Sequence, residues 1–190
     1  MMDTSDIFKY DGFYHIKDSF TEKEIDFLLK RWEQTPLVYE INHNEWDKVT
    51  NGKTSLSHKF RKVTIFGIPK NKIKFLSNKI EHLFSLIIKE EFSVEGPHYF
   101  TQYTKGSFHS PHIDFMVENG VERQWVMTIQ LSDPKDYEDG DLIINGNVVP
   151  KDKGSVIIYD GKLEHEVTKV TNGVRYSITE CAGRLINDGV

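Results

Sequence analysis

The chain has 190 residues, of which 38% are hydrophobic and 28% are charged, and its formal net charge is -5. These values predict one soluble globular domain over residues 1–190, and they argue against a nucleic-acid surface as its main feature. The single cysteine, Cys181, excludes an internal disulfide and metal sites of the Cys-x-x-Cys type.

The first residues do not predict a targeting segment, because no basic region followed by an apolar run occurs there. No apolar run approaches the roughly 18 residues that a membrane-spanning helix needs. We therefore expect a cytoplasmic protein with neither a membrane nor a nucleic-acid partner. The sequence leaves its oligomeric state open.

Two helices are predicted in the N-terminal half, after a short strand in GFYHIKDSF. Thr21 is a suitable N-cap for the first helix, with Glu24 three residues later as in a capping box, and Pro36 follows its end. The second helix is predicted within residues 69–92. Each helix carries apolar residues at helical spacing: Ile25, Leu28, Leu29 and Trp32 in the first, and Ile73, Leu76, Ile80, Leu83, Phe84 and Ile87 in the second.

The segment between the helices is polar and shows no regular period over residues 37–62. A loop of this length inside a compact domain is typical of a functional lid or of a disordered segment. We predict that residues 37–66 form a lid or substrate loop, with Tyr39, Trp46 and Arg61 as the candidates for contact with substrate. The alternative is a surface loop without a role.

The C-terminal half predicts an antiparallel β domain. After Pro97, short runs rich in β-branched and aromatic residues alternate with turn dipeptides, which favours a sandwich or barrel. The overall fold class is therefore α+β, with the helices first. The turn dipeptides are Asn119-Gly120, Asp139-Gly140, Asn145-Gly146, Asp160-Gly161 and Asn172-Gly173.

A metal site is one interpretation of His112-Ile113-Asp114. In an extended segment, residues two apart point to the same face, so His112 and Asp114 could bind one ion. His165, farther along the chain, could supply a third ligand. Two histidines and one carboxylate form the facial triad of non-haem Fe(II) oxygenases. The alternative is a hydrogen-bonded polar pair near a turn.

Arg175 strengthens the metal interpretation, because an arginine in a strand facing an apolar barrel needs an anionic partner. It follows His165 by ten residues, across the Asn-Gly pair at 172–173. A regular two-residue turn would put His165 and Arg175 on opposite faces. We therefore predict an odd-length or bulged hairpin here. The alternative for Arg175 is a surface ion pair with Glu164 or Glu166.

The order of these motifs resembles the Fe(II)/2-oxoglutarate-dependent dioxygenases of the prolyl-4-hydroxylase-like branch. In QYTKGSFHSPHIDF, the residues Tyr103, Gly106, His112 and Asp114 fall at matching positions. RQWVMTIQLSDPKDYEDGDLII and KGSVIIYDGKLEHEVTKVTNGVRYS are similar to the segments that follow in the family, and GFYHIKDSFTEKEIDFLLK is similar to its opening. The resemblance covers most of residues 12–181.

This resemblance implies a double-stranded β-helix, or jelly roll, of mostly antiparallel strands flanked by two helices. It implies that His112, Asp114 and His165 bind Fe(II), that Arg175 binds the distal carboxylate of 2-oxoglutarate, and that O2 is the second co-substrate. Tyr103 would donate a hydrogen bond to 2-oxoglutarate, and Ser177, on the face of Arg175, would assist. The alternative for Tyr103 is a core position.

The chain departs from the family pattern at positions that concern substrate. His109 stands where many relatives have a second tyrosine, and Gln130 lies on a strand where some have a tyrosine near the co-substrate. Together with Trp46 and Arg61, these residues are the candidates for substrate contact.

The implied reaction is hydroxylation of a C–H bond, with conversion of 2-oxoglutarate to succinate and CO2. The expected substrate is a prolyl or other residue in a peptide or protein. The alternatives are a hydroxylase of a free amino acid or small metabolite, a jelly-roll binding module without oxygen chemistry, and a family member that binds iron without turnover.

Overall fold

The computed structural model describes residues 6–41, 53–118 and 120–186. These residues form one curled sheet of fifteen strands with two α-helices. No helix among them is both long enough and apolar enough to cross a membrane. The helices are α1 (Glu22–Glu33) and α2 (Lys74–Ile87), and the strands are β1 (Ile7–Lys9), β2 (Phe13–Ile16), β3 (Leu37–Ile41), β4 (Lys53–His58), β5 (Arg61–Ile68), β6 (Ser93–Thr104), β7 (Phe108–His112), β8 (Met116–Glu118), β9 (Val121–Gln130), β10 (Tyr137–Asp139), β11 (Leu142–Ile144), β12 (Asn147–Val148), β13 (Val156–Asp160), β14 (His165–Val167) and β15 (Val170–Leu185).

The strand order is that of a jelly roll. Along the sheet the order is β1-β2-β13-β9-β15-β6-β5-β7-β14-β11-β12, and neighbours in this order are antiparallel. The sheet curls, so that β7, β14 and β11 face β9, β15 and β6 across a shared interior. The predicted α+β double-stranded β-helix with two flanking helices is therefore confirmed.

The capping box predicted for α1 is present. The side chain of Thr21 accepts a hydrogen bond from the Glu24 amide at 3.3 Å, and the Glu24 carboxylate accepts one from the Thr21 amide at 2.8 Å. These two bonds satisfy two of the amides that a helix start leaves unpaired.

Two apolar cores lie on opposite sides of the sheet. The outer core packs α1 and α2 against the sheet, and the inner core fills the curl. Because side chains alternate along a strand, β15 contributes Ile178 to the outer core while Ser177 faces inward. The buried helix residues are Ile25, Leu28 and Trp32 of α1 and Leu76, Ile80, Leu83 and Phe84 of α2.

The prediction of an irregular segment over residues 37–62 is wrong for its described part, whereas the lid or substrate loop over residues 37–66 stays a prediction. Strands β3, β4 and β5 lie in it, and β5 joins β6 to β7. Strand β4 is difficult to predict because its apolar signal is weak. Among its described side chains, those of Thr54 and Leu56 are buried, and their neighbours are polar. Residues 42–52, which include Trp46, lie outside the described residues, so the role predicted for them stays a prediction.

The predicted hairpin between His165 and Arg175 does not form. Strand β14 pairs with β7 and β11, whereas β15 pairs with β6 and β9, so the two residues lie in opposite halves of the curl. The Asn-Gly pair at 172–173 lies inside β15, opposite β10. Gly173 has φ +72°, and a Cβ there would lie 2.0 Å from the carbonyl oxygen of Asp136. Only glycine therefore allows β10 to approach so closely.

A buried polar network joins α2 to the outer face of the sheet. Nε2 of His98 lies 2.8 Å from Oγ of Ser77, and Nδ1 of His98 lies 2.8 Å from a carboxylate oxygen of Glu180. The side chains of His98 and Glu180 are fully buried. Burial raises the pKa of Glu180, and it outweighs the opposite effects of His98 and Lys70.

This raised pKa predicts a pH-dependent stability. The folded protein keeps the Glu180 proton to a higher pH than the unfolded chain does. Its contribution to the free energy of unfolding is therefore complete below about pH 4.5 and is lost as the pH rises through the folded-state pKa. In Glu180→Gln, we expect a smaller loss of this free energy between about pH 4.5 and 7.5 than in the natural chain.

Urea titrations across that pH range would measure the difference. Glu138→Gln, at an exposed position of β10, is the matched control and should leave the pH dependence unchanged. The same pH dependence in Glu180→Gln and in the natural chain would contradict the prediction.

Candidate functional site

Two adjacent strands bring the predicted metal ligands together. Strands β7 and β14 pair antiparallel, and His112 is directly opposite His165 in their register. Asp114 follows the end of β7, where its amide donates a 2.9 Å hydrogen bond to the carbonyl oxygen of Gly161. Backbone hydrogen bonds therefore fix the positions of all three side chains.

The three side chains could hold one ion. Nε2 of His112 lies 3.6 Å from one carboxylate oxygen of Asp114, and Nε2 of His165 lies 3.4 Å from the other. One donor atom from each residue lies within 4.8 Å of the others. Ligand bonds of about 2.0–2.2 Å would fit an ion between donors at this separation.

Both histidines are oriented by their second ring nitrogen. Nδ1 of His112 lies 2.8 Å from the carbonyl oxygen of Ser110, and Nδ1 of His165 lies 3.0 Å from that of Leu163. Because a carbonyl oxygen only accepts, Nδ1 carries the proton and donates in each ring. Each Nε2 then keeps a lone pair directed at the shared space.

The site holds the protonation states that a metal requires. Burial alone would raise the pKa of Asp114, but the neighbouring imidazoles of His165, His112 and His109 favour its charged form and lower this pKa to about 2. Burial, aided by the charge of Arg61, lowers the pKa of His109 to about 2, and burial with His165 lowers that of His112. At pH 7 the site therefore presents the Asp114 carboxylate beside the neutral imidazoles of His109 and His112.

Arg175 is buried and has neutral partners. Its side chain is 1% exposed, and its terminal nitrogens donate 3.2 Å hydrogen bonds to Oγ of Ser177 and to the side-chain oxygen of Gln130. The guanidinium carbon lies 5.3 Å from the ring centroid of Tyr103. Among the residues that the structure describes, no carboxylate forms an ion pair with Arg175, so the alternative of a surface ion pair does not apply. A buried guanidinium of this kind fits an anionic ligand.

One cavity of about 670 Å³ connects the histidines with Arg175. Its wall contains the predicted co-substrate residues Tyr103 and Ser177, and also His109 and Arg61 from the predicted substrate group. The ring of His109 stacks on that of His112, with centroids 3.7 Å apart.

Gln130, another predicted substrate residue, is not among the residues that line the cavity. Gln130 is buried and accepts a hydrogen bond from Arg175, so it lies behind the guanidinium rather than at the mouth. Trp46 lies outside the described residues. The predicted substrate contacts of both stay untested.

Fourteen residues of the cavity wall were not predicted as site residues, and four of them illustrate why. Thr101, whose hydroxyl lies 2.7 Å from that of Ser177, precedes Tyr103 by two residues and could have been found from strand alternation. Tyr159 lies against His165, with ring centroids 4.9 Å apart, but its apolar strand gave no alternation. The two others are Arg123 and Cys181.

Fold and site together define a jelly-roll domain with the two-histidine, one-carboxylate arrangement of non-haem Fe(II) oxygenases. Residues 98–181 match the 2OG-Fe(II) oxygenase superfamily. This segment is therefore similar to that superfamily, and the predicted resemblance to its prolyl-4-hydroxylase-like branch is confirmed.

Curated relatives are similar to parts or most of the chain. A PKHD-type hydroxylase of Gloeothece citriformis is 34% identical over 95 residues, which cover 47% of this chain and 43% of that protein. The PKHD-type hydroxylase YbiX of Escherichia coli is 24% identical over 191 residues, covering 92% of this chain and 80% of that protein. The match thus spans less than half of the first relative and most of the second.

A solved structure supports the fold. The viral collagen prolyl hydroxylase of Paramecium bursaria Chlorella virus-1, in complex with 2-oxoglutarate, superimposes with a TM-score of 0.68 at 12% identity. The alignment covers 91% of this chain and 96% of that protein. The expectation of Fe(II) and 2-oxoglutarate is confirmed by the superfamily and by a donor set that fits this metal.

If the three donors bind the metal, their removal has a specific effect. His112→Ala removes a ligand, so we expect at least about a 100-fold loss of affinity for Co(II), used as a spectroscopic substitute for Fe(II). Titration followed by Co(II) absorbance would measure this loss. His109→Ala is the matched control, because His109 stacks on His112 outside the set of three donors. Equal Co(II) affinity in His112→Ala and His109→Ala would refute the assignment.

Proposed function

We propose that the chain is an Fe(II)- and 2-oxoglutarate-dependent dioxygenase that hydroxylates a C–H bond in a prolyl or other residue of a peptide or protein. One oxygen atom of O2 enters the C–H bond and the other enters succinate, as 2-oxoglutarate loses CO2. The observation that carries the proposal is the position of three metal donors and a buried arginine in one cavity.

The proposed roles at the metal follow from the hydrogen bonds around the donors. His112, Asp114 and His165 would hold the ion at the wall of the cavity. Fe(II) held there supplies the activation of O2 that no amino-acid side chain provides. The carbonyl groups of Ser110 and Leu163 hold the two imidazoles in the tautomer that binds metal.

Arg175 is proposed to hold the distal carboxylate of 2-oxoglutarate. The guanidinium cannot lose its charge, and its fork matches a carboxylate. Ser177 and Gln130 fix the two terminal nitrogens, while the hydroxyl groups of Thr101 and Tyr103 are available at the same end of the cavity. A co-substrate anchored at that end would direct its keto-acid group toward the metal donors.

Apolar walls favour a reaction protected from water. Ile65, Leu142, Tyr159 and Val167 are buried and line the cavity beside the polar groups. Water excluded by such walls cannot compete for the reactive centre, and electrostatic contacts inside become stronger.

The rim of the cavity favours a peptide over a small metabolite. Phe60 and Met116 line the mouth and are 52% and 40% exposed, and Ile113, between two of the metal donors, is 57% exposed. Exposed apolar residues grouped at a site entrance are typical of a surface that contacts a macromolecule. The names of the hydroxylase relatives and of the viral collagen prolyl hydroxylase agree with this choice.

A substrate screen tests the proposal. The protein is incubated with Fe(II), 2-oxoglutarate and O2, together with proline-containing peptides or with free amino acids, and products are examined for a gain of one oxygen by mass spectrometry. We expect oxygen transfer to peptides with matching succinate formation. Modification of free amino acids alone would favour the small-metabolite alternative, and no succinate under any condition would favour a binding module.

A substitution at Arg175 tests the co-substrate site separately. Arg175→Gln keeps hydrogen bonding but removes the charge, so we expect the KM for 2-oxoglutarate to rise about 10- to 100-fold. Succinate formation without added substrate would measure this change. Arg184→Gln, which removes an exposed arginine on the same strand, is the control. An unchanged KM in Arg175→Gln would refute the role given to Arg175.

A further inference from the structure

The cavity contains a second arginine at the end away from Arg175. Inward-facing residues of β15 line one wall in the order Arg175, Ser177, Thr179 and Cys181. At about 3.3 Å per residue, the backbones of Arg175 and Cys181 lie roughly 20 Å apart. Gly183, the next residue on this face, pairs in register with Arg123 of β9, whose side chain also lines the cavity. The co-substrate proposed above occupies only the Arg175 end.

The Arg123 side chain forms an ion pair through its Nε atom. Its Nε lies 3.1 Å from a carboxylate oxygen of Glu95, and its side chain is 29% exposed. In the part of the chain that the structure describes, this bond to Nε is the hydrogen bond that the Arg123 side chain makes. The side chain lines the cavity, and its two terminal nitrogens, which have no described partner, form the planar fork that matches a carboxylate.

A second ion pair on the same strands shows a different arrangement. Arg184 uses both Nε and a terminal nitrogen on the carboxylate of Glu122, at 2.9 and 2.7 Å, and is 52% exposed. In that pair, two nitrogens of the Arg184 guanidinium bind a carboxylate at the protein surface. In the pair of Arg123 with Glu95, both terminal nitrogens of Arg123 have no partner among the described residues.

The charges of the cavity favour an anionic substrate group. Three arginines, Arg61, Arg123 and Arg175, line it. Asp114 is the one carboxylate among its lining residues in the described part of the chain, and Glu95 pairs with Arg123 beside the cavity. This excess opposes the net charge of the whole chain, which is -5. Clefts of one charge sign concentrate ligands of the opposite sign.

We propose that Arg123 binds a carboxylate of the substrate and thereby makes the enzyme selective for acidic substrates. In a peptide, this carboxylate belongs to an aspartate or glutamate near the hydroxylated residue. The inference rests on the proposed function, since it concerns the same cavity, and it assigns Arg123 as a residue that determines specificity.

The test uses two matched sets of N-acetylated, C-amidated proline peptides, with glutamate at the flanking positions in one set and glutamine in the other. We expect the natural enzyme to hydroxylate the glutamate set with a kcat/KM at least about tenfold higher. In Arg123→Gln this preference should disappear, while Arg184→Gln should retain it. Equal use of both sets by the natural enzyme would overturn the proposal, and so would a preference that persists in Arg123→Gln.

Glu95→Gln separates substrate binding from a purely structural ion pair. This variant keeps an acceptor for Nε and leaves Arg123 in place, so the glutamate preference should remain. If the ion pair of Arg123 with Glu95 served only to join β9 to β6, both Glu95→Gln and Arg123→Gln would lose the preference for glutamate peptides. The KM for 2-oxoglutarate should stay unchanged in Arg123→Gln, because Arg175 is intact, and this measurement excludes collapse of the cavity.

A binding measurement keeps the proposal testable if no peptide is hydroxylated. With the protein loaded with Mn(II) and saturating 2-oxoglutarate, the metal should broaden the NMR signals of N-acetylglutamate α-amide about tenfold more than those of N-acetylglutamine α-amide. Arg123→Gln should remove the difference. Selective binding without peptide hydroxylation would refute the prolyl-peptide substrate and support the carboxylate site. Peptide hydroxylation without selectivity for the glutamate compound would support the prolyl-peptide substrate and refute the carboxylate site.

Discussion

The antiparallel pairing of β7 with β14 is the constraint on which the site depends. It places His112 directly opposite His165 and leaves Asp114 just beyond the strand end, beside the carbonyl of Gly161. The backbone carbonyls that accept from both imidazoles come from the same two segments. The geometry of the three donors is thus a property of the sheet, and a metal adds its own bonds to an arrangement that the fold already holds.

Arg175 imposes a second constraint, because a buried guanidinium without an anion costs free energy. The fold offsets this cost with neutral oxygen atoms of Ser177 and Gln130 and with the face of Tyr103. A bound carboxylate would complete the set. Stability and co-substrate binding are therefore linked at this position, since a ligand that binds only the folded state stabilises it.

Much of this arrangement was predictable from the sequence. The HxD spacing, a distant histidine and an inward arginine, together with a motif order that resembles the dioxygenases, predicted the grouping around His112, and the capping box located α1. The interval from His165 to Arg175 was misread, because an Asn-Gly pair is typical of a hairpin and nothing local shows that the next strand crosses to the opposite half of the curl. Strand β4 was missed because two buried residues among small polar ones give too weak an alternation.

The residues at the far end of the cavity were harder to predict for a different reason. Arg123 and Cys181 approach each other through pairing of β9 with β15, which brings together positions distant in sequence. The spacing of residues within one strand cannot predict such a contact between two strands. Only the register of the assembled sheet, including its bulge near Gly183, identifies which of these side chains reach the interior.

Strand β15 carries one further consequence. Arg175, Ser177, Thr179 and Cys181 face the cavity, whereas the intervening residues Ile178 and Glu180 face the helices. A single inserted or deleted residue would exchange the two faces and put the arginine on the face that packs against the helices. The length of this strand is therefore more constrained in evolution than the identity of most of its residues. Related chains should differ here by substitution and not by insertion.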